Sequence, residues 1–129
     1  MLNLHLLECT VKGYDHISDL LFAKYWVITG CKYWWCNSLL TINIPDSVVE
    51  ICNEAFFNCT NLTSATIGNE VKTIGDEAFY NCSNLLSVTL GDNVNSIGDY
   101  AFRYCYNLTS INIPNSVTRI GDYAFRYCN

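Results

Sequence analysis

Residues 108–128 read LTSINIPNSVTRIGDYAFRYC. The same frame stands one period of 23 residues earlier at 85–105 (LLSVTLGDNVNSIGDYAFRYC), again at 62–82 (LTSATIGNEVKTIGDEAFYNC), and again at 39–59 (LLTINIPDSVVEICNEAFFNC). A unit this short cannot bury its apolar side alone, so self-similarity at a fixed period of about 20–50 residues marks a stacked solenoid. Cys36, Cys59, Cys82, Cys105 and Cys128 fall on one phase and set the register. The pattern predicts an α/β repeat solenoid with a narrow parallel sheet along one side and short helical turns along the other. Residues 1–35 form a degenerate N-terminal repeat or cap, and residues 36–129 hold four repeats at 37–59, 60–82, 83–105 and 106–128.

Within one repeat, Ser64, Ala65, Thr66 and Ile67 alternate with the period of two of a half-buried strand, which places Ala65 and Ile67 inward. Strands are expected at 41–44, 64–67, 87–90 and 110–113. Pro45-Asp46, Gly68-Asn69, Gly91-Asp92 and Pro114-Asn115 then turn the chain. Val48 and Ile51, with Val71 and Ile74, Val94 and Ile97, and Val117 and Ile120, supply a second pair of core side chains on the return path. Asn53, Asp76, Asp99 and Asp122 precede the Ala-Phe segment, where a short side-chain oxygen is a good helix N-cap; a calcium site is the alternative for the acidic column. Ala65 stands where the neighbouring repeats have Ile42, Val88 and Ile111, so the second repeat is expected to be the softest, by about 1–3 kcal/mol. Cys52 replaces the glycine of the other repeats, and the first repeat is strained or locally different if that site needs a positive φ.

Half of the chain is apolar and its net charge is −5, with no run of lysine or arginine. A phosphate-neutralising surface is therefore missing, and nucleic acid is not an expected partner. The apolar neighbourhood at 20–28 is short and carries Lys24, whereas a membrane span needs about 20 apolar residues. The eight cysteines include no C-x-x-C pair, and His5 and His16 lie outside the regular repeats, so zinc is not indicated. Cysteines stacked at one strand spacing, about 4.8 Å, point the same way, which favours buried free thiols over disulfides. Cys9, Cys31 and Cys52 fall off the ladder and receive no assignment. No nucleophile-base pair, metal constellation or phosphate loop is visible, so neither catalysis nor a cofactor is expected.

The recurring unit L-x-x-I-x-I-P…S-V-x-x-I-G-x-x-A-F-x-x-C resembles the BspA-type leucine-rich repeat over residues 36–129. The resemblance implies a leucine-rich-repeat arc whose parallel sheet lines the concave side. It also implies a surface or secreted protein that binds host or matrix proteins, although residues 1–15 show no clear signal peptide. The function expected is a non-catalytic protein-interaction module, in cell-surface adhesion or in binding of a host or extracellular-matrix protein. The alternative is an architectural segment or fragment of a longer array with no ligand site of its own.

Two surfaces are candidates for partner binding. The concave sheet presents Thr41, Ser64, Ser87 and Ser110 in one column and Asn43, Thr66, Thr89 and Asn112 in the next; the bland reading is a solvated sheet face. The turn side of the last two repeats collects Tyr100, Arg103, Tyr104, Tyr106, Tyr123, Arg126 and Tyr127, residue types that dominate protein interfaces. Here the bland reading is rings packed over their own turns with arginines stacked on them. Trp26, Trp34 and Trp35 serve as a cap or a patch. Sequons at Asn58, Asn61, Asn81 and Asn107 are better explained by a turn role, since Asn61, Asn84 and Asn107 share one phase. No repeat follows Cys128 in this sequence, so self-association through the C-terminal end is expected.

Overall fold

The computed structural model describes His16–Ile17, Asn37, residues 39–46 and residues 48–129. Eight strands occur among these residues: β1 His16–Ile17, β2 Thr41–Ile44, β3 Glu50–Ile51, β4 Ser64–Ile67, β5 Thr73–Ile74, β6 Ser87–Thr89, β7 Ser96–Ile97 and β8 Arg119–Ile120. One parallel sheet has the order β1-β2-β4-β6, with Thr41 opposite Ser64 and Ser64 opposite Ser87. Each step in that register is one repeat, so each repeat is one coil of a parallel solenoid. β1 adds a neighbour on the other side of β2, His16 facing Thr41. The rest of 1–36, with the proposed cap and its three tryptophans, lies outside the described residues.

The return path is more regular than the sequence implies. Its β-branched pairs form a second parallel sheet, order β3-β5-β7-β8, in which Glu50, Thr73, Ser96 and Arg119 stand in register. Between the two sheets the alternating aliphatics close a dry core: Ile44, Val48, Ile51, Leu62, Val71, Ile74, Leu85, Val94 and Ile97 are essentially inaccessible. Ala65 is buried in register between Ile42 and Val88.

The expected helical turns are absent from the described residues. The segments after Asn53, Asp76, Asp99 and Asp122 are successive tight turns, with left-handed backbone at two places per coil: Glu54 and Asn58, Glu77 and Asn81, Tyr100 and Tyr104, Tyr123 and Tyr127, all with φ between 54° and 65°. A right-handed helix cannot contain such residues. Alternate amides close turns locally (Ala55 N to Cys52 O, Phe57 N to Glu54 O, Cys59 N to Phe56 O, each 3.2 Å). The amides between them reach the next coil: Glu54 N to Asp76 O at 2.8 Å, Phe56 N to Ala78 O at 2.7 Å, Asn58 N to Tyr80 O at 2.8 Å. The cause is spacing. Sheets on the other sides set the coils about 4.8 Å apart, and a helix about 10 Å across cannot stack at that interval. Only a flat, turn-built segment fits.

The acidic column therefore caps no helix. Asn53 Oδ1 accepts the amide of Asp76 at 2.8 Å, Asp76 Oδ1 that of Asp99 at 2.8 Å, and Asp99 Oδ1 that of Asp122 at 2.9 Å, so each side chain ties its coil to the next. Backbone amides account for the column without a cation, and Asn53 serves as well as aspartate. The neighbouring glycines are required by close approach and not by φ. A Cβ on Gly98 would lie 2.4 Å from Asp76 Oδ1 and 2.5 Å from Asp76 N. Cys52, at the equivalent place in the first coil, is disulfide-bonded.

The fourth expected strand is not formed either. Residues 110–113 keep the alternation, with Ile111 and Ile113 half-buried and Ser110 and Asn112 exposed, but make no ladder with β6.

The cysteine phase marks a thiol ladder. Cys59, Cys82, Cys105 and Cys128 are thiols and not disulfides. The thiols of Cys82, Cys105 and Cys128 each donate to a phenylalanine carbonyl of the preceding coil (Phe56, Phe79 and Phe102) at 3.2 Å. Burial pushes the Cys82 and Cys105 thiols well above their ordinary range and the Cys128 thiol up as well, so all three are protonated at neutral pH.

Candidate interaction surfaces

On the sheet, register puts Thr41, Ser64 and Ser87 in one row and Asn43, Thr66 and Thr89 in the next, as the alternation requires. Ser110 and Asn112 are exposed in the last coil, beyond the edge of the sheet. Asn43, Thr66 and Thr89 line a groove of about 470 Å³ together with Asp46, Asn69 and Asp92 on the adjoining turns. Two of its side-chain oxygens are engaged inside the fold: Asp46 Oδ1 accepts the Asn69 amide at 2.7 Å and Asn69 Oδ1 the Asp92 amide at 3.2 Å.

The side-chain amides of Asn61, Asn84 and Asn107 form a further ladder, donating to Asn37 O, Thr60 O and Ser83 O at 2.7–2.8 Å. Asn58 is buried and its Oδ1 accepts from the Asn81 amide at 2.8 Å. Every sequon asparagine thus has a structural task.

The turn row is richer. Its left-handed positions stand in two columns, and in the last two coils all four are tyrosines. Tyr100 stacks on Tyr123 with ring centroids 5.6 Å apart, and Tyr104 stacks on Tyr127 at 5.0 Å. Tyr80 meets Tyr104 edge-on, and Tyr106 leans against Tyr104 at 5.8 Å. Arg103 lies over Tyr100, Tyr104 and Tyr127, within 4.6–5.8 Å of each ring, and donates from Nη2 to the Tyr104 hydroxyl at 2.9 Å. Its buried Nε has no hydrogen-bond partner among the described residues. Arg126 lies over Tyr123 at 5.0 Å and Tyr127 at 4.9 Å and is exposed.

All seven sequence-selected Tyr/Arg residues are therefore one contiguous surface, but with two roles. Tyr100, Arg103 and Tyr104 are half-buried and brace one another; Tyr106, Tyr123, Arg126 and Tyr127 are the exposed part. A stacked guanidinium uses its faces on the rings and leaves its N–H edges to meet carboxylates. Absent from the sequence reading was Arg119, whose Nη2 pairs with Asp99 Oδ1 at 3.4 Å one coil earlier; the 20-residue separation hides it from a 23-residue period.

Coil length, thiol phase and the inward Ala-Phe pair now recur together on one backbone. A profile described as "BspA type Leucine rich repeat region" matches residues 26–129 in six copies. The chain belongs to the BspA-type leucine-rich repeat family. Among solved structures, a leucine-rich repeat protein of T. pallidum is 34% identical with a TM-score of 0.72, over 74% of this chain and 44% of that one. A leucine-rich repeat protein from Bacteroides ovatus is 29% identical with a TM-score of 0.54, over 79% of this chain and 31% of that one. The chain thus spans less than half the length of either leucine-rich repeat neighbour. No curated protein matches it. Among the described residues no helix is long and apolar enough to cross a membrane.

Proposed function

We propose that this chain is a non-catalytic protein-interaction module whose contact surface is the exposed part of the Tyr/Arg row, serving cell-surface adhesion or the binding of a host or matrix protein. The observation that carries the reading is that Tyr106, Tyr123 and Tyr127 are each about half exposed, at 45–55 %, beside an exposed arginine. Rings already held by stacking lose little entropy on binding, and desolvating them at a contact is favourable. The sheet groove is a weaker candidate because none of the residues lining it is aromatic or an arginine.

Surface plasmon resonance against immobilised extracellular-matrix and cell-surface proteins tests this. Joint Tyr123→Ala and Arg126→Ala substitution is expected to weaken a captured partner about tenfold or more. Thr66→Ala with Thr89→Ala should change it by no more than about twofold, within the reach of a surface substitution. The reverse pattern would move the site to the sheet. Arg103 is unsuited to this test because three rings box it in and its loss disturbs the fold.

A second reading, an architectural segment of a longer array, rests on Ile120, whose half-exposed side chain stands where its equivalents are covered by a following coil. Fusing further repeats after Asn129 should then cover Ile120 and raise the melting temperature without altering partner binding.

A further inference from the structure

The turn row changes chemistry halfway along the solenoid. Its first left-handed column runs Glu54, Glu77, Tyr100, Tyr123, and the column three residues on runs Phe57, Tyr80, Arg103, Arg126. Both arginines fold back over the tyrosine of their own coil, Arg103 at 5.3 Å and Arg126 at 5.0 Å from the ring centroids. Positive charge is thereby carried onto the column of the glutamates. One line on the surface holds two carboxylates at one end and two guanidinium groups at the other.

We propose that this row is a self-complementary interface joining two copies of the chain about a two-fold axis. The inference rests on reading the Tyr/Arg row as an interaction surface, and it names a second copy as an occupant. An axis lying in the contact plane, perpendicular to the solenoid and passing between the coils of Glu77 and Tyr100, reverses coil order while leaving each column opposite itself. Glu54 then faces Arg126 of the second copy, Glu77 faces Arg103, and symmetry repeats both pairs. On the adjoining column Phe57 and Tyr80 meet the same arginines, a cation–π arrangement. Stacking the copies with coil order unreversed would instead set glutamate on glutamate.

Two further observations agree. Within one chain neither glutamate has a salt bridge: the one ion pair among the described residues is Arg119 with Asp99. The Glu77 carboxyl is raised from its ordinary value by burial, then by the negative charges of Glu54 and Asp76, with Arg103 offsetting only in part. The row is small, spanning about 14 Å over four coils at about 4.8 Å each. A contact of that size falls well below the ~800 Å² per partner of a tight complex, so the dimer is weak and sensitive to salt.

Sedimentation equilibrium of the full chain over a wide concentration range tests the proposal. Monomer and dimer alone are expected, with the dissociation constant rising about tenfold at ~0.5 M salt. Arg126→Glu alone, or Glu54→Arg alone, should raise it about tenfold or more, because each introduces two repulsive contacts. Both changes on one chain should restore it to within about threefold, and mixing the two single variants should give a mixed dimer. Circular dichroism and thermal melts verify that each variant is folded. A monomer at all concentrations, assemblies larger than a dimer, or a double variant no better than the singles would overturn the inference. Partner binding measured at concentrations where the chain is monomeric keeps this result separate from the function proposed above: loss of one leaves the other standing.

Discussion

The turn row of the first two coils and that of the last two have the same backbone and opposite surfaces. In both halves φ is positive at the same two places per coil, alternate amides cross to the next coil, and phenylalanines stack inside, Phe56 to Phe79 at 5.0 Å and Phe102 to Phe125 at 5.3 Å. The first left-handed column carries Glu54 and Glu77 in one half and Tyr100 and Tyr123 in the other; the second carries Asn58, which is buried, and Asn81 in one half and Tyr104 and Tyr127 in the other. The stacking interval dictates the backbone and the core, while the side chains of the first column differ between the halves without disturbing either.

The largest effect should come from the part the halves share. Phe79 is fully buried between Phe56 and Phe102, at 5.0 and 5.1 Å. Phe79→Ala is expected to cost about 3–5 kcal/mol in urea unfolding, since it leaves a cavity in a stack that cannot collapse without pulling coils out of register. Because neighbouring coils support one another, the loss should extend to both halves and disperse the Tyr/Arg surface as well. A variant that loses little stability would show the core column to be less coupled than the stacking implies.

Much of this was readable in the repeat. Its period sets register, so Ile42, Ala65 and Val88 align as the alternation requires, and the cysteine phase identifies buried thiols before any coordinate is known. The Tyr/Arg residues were recognisable as one surface because residues 23 apart are neighbours in a stack. The turn conformation was hidden, because Ala-Phe flanked by Asp is equally good helix chemistry and a one-coil reading contains no information about the 4.8 Å stacking interval. A signal did exist: Asn58 and Asn81 occupy one left-handed column, and asparagine tolerates that backbone. Tyr104 and Tyr127 on the same column obscured it. Arg119 and Asp99 escaped because their pairing crosses columns.

A left-handed residue costs about 1–2 kcal/mol unless it is glycine. That strain is common to both halves, so glycine scanning separates what their side chains return. Glu77→Gly should stabilise the chain by about 0.5–1 kcal/mol, the relief of strain exceeding the entropy of an added glycine. Tyr100→Gly gains the same relief but loses the stack on Tyr123 and the Arg103 contact, together about 1–2 kcal/mol, so it should be neutral to destabilising. Opposite signs in parallel urea titrations would show that the rings offset their own strain. Equal stabilisation would make them idle in the free protein and retained for binding alone.

The smallest effect concerns the acidic half. Burial and then the charges of Glu54 and Asp76 raise the Glu77 pKa above its ordinary 4.5. A carboxyl whose folded value exceeds its unfolded one contributes stability that is complete below the unfolded value and lost as pH rises through the folded value. Glu77→Gln removes that loss, so its melting temperature should exceed the wild type's slightly at ~pH 7 and match it at ~pH 3.5, below the usual glutamate range. The side chain is only partly buried, so solvent screening keeps the difference small. Repeating the pair of melts with Glu54→Gln already present should shrink the difference further, since one of the two repelling carboxylates is then gone. The concentration of the sample matters for the same reason that makes the measurement worth doing: in a two-fold dimer Glu77 would face an arginine of the second copy. Melts at high concentration should then show the advantage of glutamine narrowing or reversing, and the same advantage at every concentration would argue that the acidic half faces only solvent.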